Sequence, residues 1–293
     1  MSLEVLCGLF GYSRQAYYKQ LHRNANQYMR EDFIFEQIRL IRQPMPRIGC
    51  RKLHALLTEK GITIGRDALF KLLRENNLLI KRRKKYAITT NSKHWMKKYP
   101  NLIRGFHFTK ANQLWVSDIT YIPIEGDFVF LFLITDVYSR LIVGYHLSHT
   151  LERDGAVRAL EMALKRIERK DLEGLIHHSD RGSQYCSYDY VNLLKSKGIR
   201  ISMTESGDPY QNAVAERVNG ILKGEWLDHE HYTCFDDIKN RIDEIIDIYN
   251  TQRPHLSCDM KTPIQAYAMT GEIKRHWKKR KYQIKKLALS DTL

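Results

Sequence analysis

The feature that most constrains the fold is a change of hydrophobic periodicity at Leu114. Downstream of it, three apolar runs of strand length, 114–122, 128–136 and 141–147, are separated by turn signals at hairpin spacing, which predicts an antiparallel meander. Helix and strand patterns then alternate as far as a helix that begins near Asn212. The order β-β-β-α-β-α-β-α predicts an α/β fold: a mixed five-stranded sheet with flanking helices.

The chain upstream of Leu114 has helical periodicity only. Two short helices on either side of a turn at residues 11–13 outline a helix-turn-helix, and we expect a separate helix from about Tyr28 to Arg42. Amphipathic segments at 49–60 and 66–76 outline a second helix-turn-helix. Small all-α modules are therefore expected to precede the sheet.

Basic residues lie on the second helix of this pair and directly after it. The helix exposes three of them, and a basic run follows its end. An αα-hairpin with a purely structural role is the alternative, but the density of positive charge favours DNA binding. The residues that we predict to contact DNA here are Arg66, Lys71, Arg74, Arg82, Arg83 and Lys84.

Charge is distributed unevenly along the chain. The total is +15, but residues 1–113 carry 23 Lys and Arg against 7 Asp and Glu, and residues 274–293 carry 8 against 1. The centre is therefore acidic. Basic ends around an acidic centre indicate that the ends bind a polyanion while the centre performs a reaction that needs carboxylates. A basic solubilising surface is the alternative.

Cysteine and hydropathy patterns exclude several classes of protein. Five cysteines without a C-x-x-C pair argue against a disulfide framework and against a structural zinc site. No segment approaches the roughly 18 apolar residues of a membrane span, and the amino terminus lacks a secretory signal. We therefore expect a cytoplasmic chain without a membrane partner.

Three carboxylates occupy positions that favour catalysis. Asp118 lies between apolar residues of the first strand, where a charge is costly unless it is paired or bound to metal. Asp180 ends the fourth strand, and active sites collect at the carboxyl ends of parallel strands. Glu216 lies near the start of the last helix, on a face shared with Asn219 and Lys223, although a solvated helix face is the alternative there. Converging at one sheet edge, the three carboxylates would bridge two Mg²⁺ ions.

Other polar residues have structural interpretations. Asp136, a rival carboxylate, lies next to the second turn of the meander, where turn capping is favoured over metal binding. One of the adjacent His177 and His178 must point into the core, and His178 shares the strand face of Asp180. Arg253 follows an amphipathic helix, which favours support of the core, with a phosphate contact as the second interpretation.

Four sequence blocks in order resemble the signature blocks of one family. They are residues 178–185, 207–216, 249–255 and 262–263. They are similar to the blocks of bacterial insertion-sequence-three transposases, in particular to the second-reading-frame product with its retroviral-integrase-like core. The resemblance covers roughly residues 45–270.

The resemblance implies a ribonuclease H-like integrase core whose metal-binding triad is Asp118, Asp180 and Glu216. It also implies that Lys223 contacts element-end DNA. On this interpretation the chain consists of a helical segment 1–45, a helix-turn-helix module 46–80, a basic linker 81–112, the catalytic core 113–272 and a basic tail 273–293.

The implied activity is that of a DNA transposase. Such an enzyme binds terminal inverted repeats and target DNA, cleaves and joins strands with Mg²⁺, for which Mn²⁺ substitutes, and works as a homo-oligomer on DNA. The family's upstream frame supplies a leucine-heptad helix, so fusion with that product or dependence on it is also implied. A nuclease without strand joining and a domesticated DNA-binding regulator are the alternatives, and retention of all three carboxylates argues against the regulator.

Overall fold

One mixed sheet organises the carboxy-terminal two thirds of the molecule. The computed structural model describes residues 2–81, 95–205, 212–274 and 276. Within that part of the chain the sheet has the strand order β3-β2-β1-β4-β5. The strands are β1 (Leu114–Ile124), β2 (Asp127–Asp136), β3 (Ile142–Ser148), β4 (Ile176–Ser179) and β5 (Arg200–Met203).

The pairing of the strands confirms the predicted meander. Strands β1, β2 and β3 are antiparallel neighbours, and β4 and β5 continue the sheet parallel to β1. The register places Asp118 opposite Leu133 of β2. This is the mixed five-stranded sheet expected for a ribonuclease H-like core.

Helices lie before, between and after the strands. They are α1 (Leu3–Leu9), α2 (Arg14–Arg42), α3 (Cys50–Glu59), α4 (Arg66–Glu75), α5 (Arg153–Arg166), α6 (Ser183–Cys186), α7 (Tyr188–Ser196), α8 (Ala213–Glu225), α9 (Phe235–Thr251) and α10 (Pro263–Tyr267). None of the helices in the described segments is long and apolar enough to span a membrane.

Helices cover both faces of the sheet. Helices α5 and α7 pack over Trp115, Phe132 and their neighbours on one face. Helix α5 approaches β3 so closely that a Cβ at Gly144 would come within 2.2 Å of the Ala159 carbonyl oxygen, which explains the glycine there. On the other face, Ala215 of α8 packs against Leu114 and Val116 of β1.

The amino-terminal helices differ from the expectation at one point. The expected separate helices at 14–20 and 28–42 are one continuous helix, α2. That prediction was wrong because residues 20–28 contain neither glycine nor proline, so nothing interrupts the backbone hydrogen bonding. Ser13 caps the helix as expected, since its hydroxyl accepts the Ala16 amide hydrogen at 3.1 Å.

The helical region shares its hydrophobic core with the sheet domain. Leu53 and Leu69 of the α3–α4 pair belong to the same buried cluster as Trp226, Ile238 and Ile242. The two regions are therefore packed against each other. The basic residues Arg82, Arg83 and Lys84 and the tail from residue 277 onward lie outside the described residues, and the proposed domain limits stay a prediction.

Candidate active site

Asp118 lies at the centre of the sheet, on the face covered by α8. Side chains alternate along a strand, so Asp118 shares its face with Leu114 and Val116, which pack against α8. Asn219 of α8 donates its side-chain amide to Asp118 Oδ2 at 2.8 Å. The Ile119 backbone amide donates to Oδ1 at 3.0 Å. The carboxylate is therefore held from both sides.

Asp180 follows the last residue of β4. Because β4 is parallel to β1 and adjacent to it, the two aspartates lie toward the same edge of the sheet. The Gly182 backbone amide donates to Asp180 Oδ1 at 2.9 Å. A Cβ at residue 182 would also come within 2.9 Å of that oxygen, so a larger residue there would displace the Asp180 carboxylate.

Glu216 lies in the first turns of α8 and is exposed. Asn219, one turn further, is 7% exposed and contacts Asp118. The polar face of α8 is therefore packed against the sheet at Asn219, whereas it is open to solvent at Glu216. Asn212, just before the helix, donates to the Ser117 carbonyl oxygen at 3.0 Å and fixes where α8 begins.

The three carboxylates form one electrostatic site. The pKa of Asp118 is raised to about 7, mainly by burial, then by the charge of Asp180 and more weakly by that of Glu216, against the lowering effect of the Asn219 hydrogen bond. Within the described segments, no three acidic, histidine or cysteine side chains are grouped closely enough to hold one metal ion. The carboxylates thus interact through their charges without being gathered around one point.

The predicted DNA-contacting residues lie in two places. Lys223 is half-buried, two turns after Glu216; burial lowers the pKa of its amine, while Asp228 and Asp118 raise it. Arg66, Lys71 and Arg74 are exposed on α4. The structure therefore brings Lys223 close enough to Asp118 to interact with its charge, whereas the α4 residues are exposed on another helix.

Asp136 has the structural role that the sequence indicated. It is fully buried and accepts the Ser139 backbone amide at 2.8 Å and the Ser139 hydroxyl at 2.6 Å. The Asn112 backbone amide donates to its other oxygen at 2.8 Å. Turn capping is confirmed, and the rival interpretation of Asp136 as a metal ligand has no support in these contacts.

Both histidines of β4 are core residues. His177 Nε2 lies 2.6 Å from Ser117 Oγ and 2.8 Å from the Tyr190 hydroxyl. His178 lies on the opposite face of the sheet from His177, and its Nδ1 is 2.8 Å from Ser202 Oγ. Burial lowers the pKa of His177 to about 3, so its ring is neutral across the physiological range.

Arg253 supports the core, and its burial favours that interpretation over a phosphate contact. Its side chain is 1% exposed and forms two hydrogen bonds to Glu225, from Nε at 2.7 Å and from Nη2 at 2.5 Å. Sequence reasoning missed both Glu225 and the contact of Asn219 with Asp118. For Glu225 a signal existed, since it continues the apolar stripe of Val218 and Leu222 by helical spacing.

Comparisons with known proteins agree with this architecture. Two models described as integrase core domains match residues 109–209 and 197–263. A 31 kDa protein of insertion element IS600 from Shigella sonnei is 37% identical over 85% of this chain and 93% of its own length. A transposase for insertion sequence element IS629 from the same organism is 31% identical over 76% of this chain and 75% of its own. The chain belongs to the insertion-sequence-three transposase family.

A further relative supports the assignment. Transposase InsF for insertion sequence IS3A from Escherichia coli (strain K12) is 28% identical over 90% of this transposase and 93% of its own length. The HTLV-2 integrase catalytic core domain, solved in complex with magnesium, is 19% identical, covers 54% of this chain and 97% of its own, and has a TM-score of 0.42. Family membership and the integrase core make the protein a DNA transposase, a polynucleotidyl transferase.

Proposed function

We propose that Asp118, Asp180 and Glu216 are the catalytic, metal-binding residues with which this transposase cleaves insertion-sequence ends and joins them to target DNA. The observation that carries the proposal is geometric: Asp118 and Asp180 lie at the same end of two adjacent parallel strands, and α8, which carries Glu216, contacts Asp118 through Asn219. The pKa of Asp118, raised by burial and by the charges of Asp180 and Glu216, agrees with this arrangement. A group perturbed in this way by specific charged neighbours is a candidate for function.

The donor set fits divalent cations. Carboxylate oxygens are the ligands that Mg²⁺ prefers, and a cation bound beside Asp118 would offset the cost of ionising it near the charges of Asp180 and Glu216. Two bound Mg²⁺ ions, or Mn²⁺ in their place, would supply activation of the attacking hydroxyl and stabilisation of the leaving oxygen. Asn219 and the Gly182 amide orient Asp118 and Asp180, whereas Glu216 stays exposed to solvent.

The DNA substrate would be held by basic side chains on two helices, α8 and α4. Lys223, whose amine interacts electrostatically with Asp118, is our proposed contact to the element end, while Arg66, Lys71 and Arg74 present exposed positive charge on α4. Arg82, Arg83 and Lys84 follow α4 in the sequence and add three further positive charges. We assign them to the terminal inverted repeats and target DNA, because phosphate contacts dominate the affinity for duplex DNA.

The assembly that acts on DNA has two further expected properties. Two element ends must be held together, so we propose a homo-oligomer on DNA. Fusion with the upstream-frame product, or dependence on it, supplies a leucine-heptad helix and another helix-turn-helix. The bacterial cytoplasm, where the element DNA resides, is the proposed location.

The test is Glu216→Gln in the full chain, with Glu161→Gln on α5 as a matched exposed control. Glu216→Gln should abolish cleavage and joining of labelled element ends, because the amide removes a charged ligand, yet keep end binding within about twofold. Mg²⁺ or Mn²⁺ should support joining by the wild type, whereas Ca²⁺ should support binding only, because it takes more ligands at longer distances.

Two results would overturn the proposal. Near-normal joining by Glu216→Gln would remove the glutamate from the triad, and full activity in excess chelator would remove the metal. Cleavage without joining by the wild type, when supplied with a free 3′-hydroxyl end, would favour the alternative of a nuclease.

A further inference from the structure

The carboxy-terminal end of α8 is held by a buried ion network. Glu225 accepts hydrogen bonds from Arg253 Nε at 2.7 Å and Nη2 at 2.5 Å, and from Lys52 Nζ at 3.3 Å. The side chains of Lys52 and Glu225 are 18% and 15% exposed, and that of Arg253 is 1% exposed. His255 Nε2 lies 2.8 Å from Arg253 Nη1 and completes the network.

The network joins two parts of the molecule that carry different functions. Lys52 belongs to α3 of the amino-terminal helices, whereas Glu225 belongs to the helix that carries Glu216. The neighbouring Trp226 is fully buried and donates its indole N–H to the Pro44 carbonyl oxygen at 2.9 Å. Two polar contacts, through Lys52 and Pro44, therefore connect the amino-terminal helices to this end of α8.

The geometry of α8 transmits this attachment to the carboxylates. Glu216 and Glu225 lie on one uninterrupted helix, about 14 Å apart along its axis at about 1.5 Å per residue. Val218 and Leu222, between them, are buried in the hydrophobic cluster that also contains Leu53 of α3. A shift of Glu225 relative to Lys52 thus moves Glu216 relative to any DNA that the amino-terminal helices hold.

We propose that Glu225 is a positioning residue: by bonding Lys52 and Arg253 together, it sets the register between the DNA-binding helices and the catalytic carboxylates. The inference rests on the proposed function of Glu216 and of the amino-terminal helices. Placement errors of about 1 Å slow enzymatic reactions strongly, so the register affects the rate of joining more than the affinity for DNA.

Lys52→Met is the informative variant. It removes one of the two polar contacts between the two parts but leaves Glu225 paired with Arg253, whereas Glu225→Gln would strand the buried Arg253 guanidinium and threaten folding. Lys52→Arg restores a charged donor. Lys165→Met, an exposed lysine on α5, is the matched control.

The experiment uses full-length chain, labelled element ends and Mg²⁺, below the unfolding temperature of every variant. Lys52→Met should bind ends within about twofold of wild type but join them about tenfold more slowly per bound complex in a single turnover. Lys52→Arg should recover most of that rate, and Lys165→Met should match the wild type. A merely structural lysine would lower the folded fraction and leave the rate per bound complex unchanged.

The two proposals can fail separately. Wild-type joining by Lys52→Met, or equal losses of binding and joining, would overturn the positioning role while Glu216→Gln stays inactive. Joining by Glu216→Gln would instead overturn the proposed function itself.

Discussion

Replacing Asp118 by asparagine should stabilise the folded chain, and the gain should depend on pH. Asparagine has nearly the same shape, and its carbonyl oxygen can still accept the hydrogen bond from Asn219, so packing is preserved at the loss of the hydrogen bond from the Ile119 backbone amide. The substitution removes a carboxyl group whose ionised form is disfavoured by burial and by the neighbouring charges of Asp180 and Glu216. The substitution therefore removes a destabilising ionisation.

The direction and size of the effect follow from the pKa. Folding raises the pKa of Asp118 from 3.8 to about 7, so between these values the folded chain binds more protons than the unfolded chain. The contribution of Asp118 to stability is therefore fully present below pH 3.8 and is lost as the pH rises to about 7. Three pKa units correspond to about 4 kcal/mol, which is an upper bound because the side chain keeps some exposure to water.

The measurement is the free energy of unfolding in urea, with chelator present, at pH 4.5 and pH 7.5. Asp118→Asn should exceed the wild type at pH 7.5 by up to about 4 kcal/mol, and the difference should shrink by several-fold at pH 4.5. Asp247→Asn, an exposed change on α9, is the control and should show no such trend. A difference of the same size at both pH values would refute the reasoning.

Two further substitutions probe the surroundings of the site. Arg253→Met should lower the free energy of unfolding by about 3–5 kcal/mol, because it leaves the buried Glu225 carboxylate with Lys52 as its remaining partner in the network; a loss below 1 kcal/mol in urea unfolding would contradict this. Lys223→Ala should weaken binding to element ends and lower the slope of log affinity against log salt by about 1 in a gel-shift titration, with the triad in place. An unchanged slope would remove Lys223 from the DNA contact.

Hydrophobic periodicity predicted most of the fold. The meander, the alternating helices and strands after it and the amphipathic pair α3–α4 are all local patterns that each element needs in order to bury one face. The continuity of α2 was missed because the absence of a helix breaker is weaker evidence than the presence of one. The short helices α6 and α10 contain too few residues to show a period.

The position of each candidate carboxylate could be predicted, but its surroundings could not. Strand ends and helix starts locate Asp118, Asp180 and Glu216 on the chain, and the sheet order then brings the two aspartates toward one edge. The hydrogen bond from Asn219 to Asp118 joins residues 101 positions apart, and the pair Lys52–Glu225 joins residues 173 positions apart. No local pattern encodes such contacts, because tertiary packing alone creates them.

The unbroken helix α2 extends far beyond the residues through which it is packed. Its buried residues, Ile34, Ile38 and Ile41, all lie in its carboxy-terminal half. Arg30 bonds the Thr63 carbonyl oxygen in the turn before α4, and Arg14 lies roughly 24 Å further along the axis at about 1.5 Å per residue. That distance equals about seven base pairs at about 3.4 Å each. A duplex lying parallel to α2 and touching α4 would therefore meet the start of α2 more than half a helical turn away, where its grooves have rotated by the same amount.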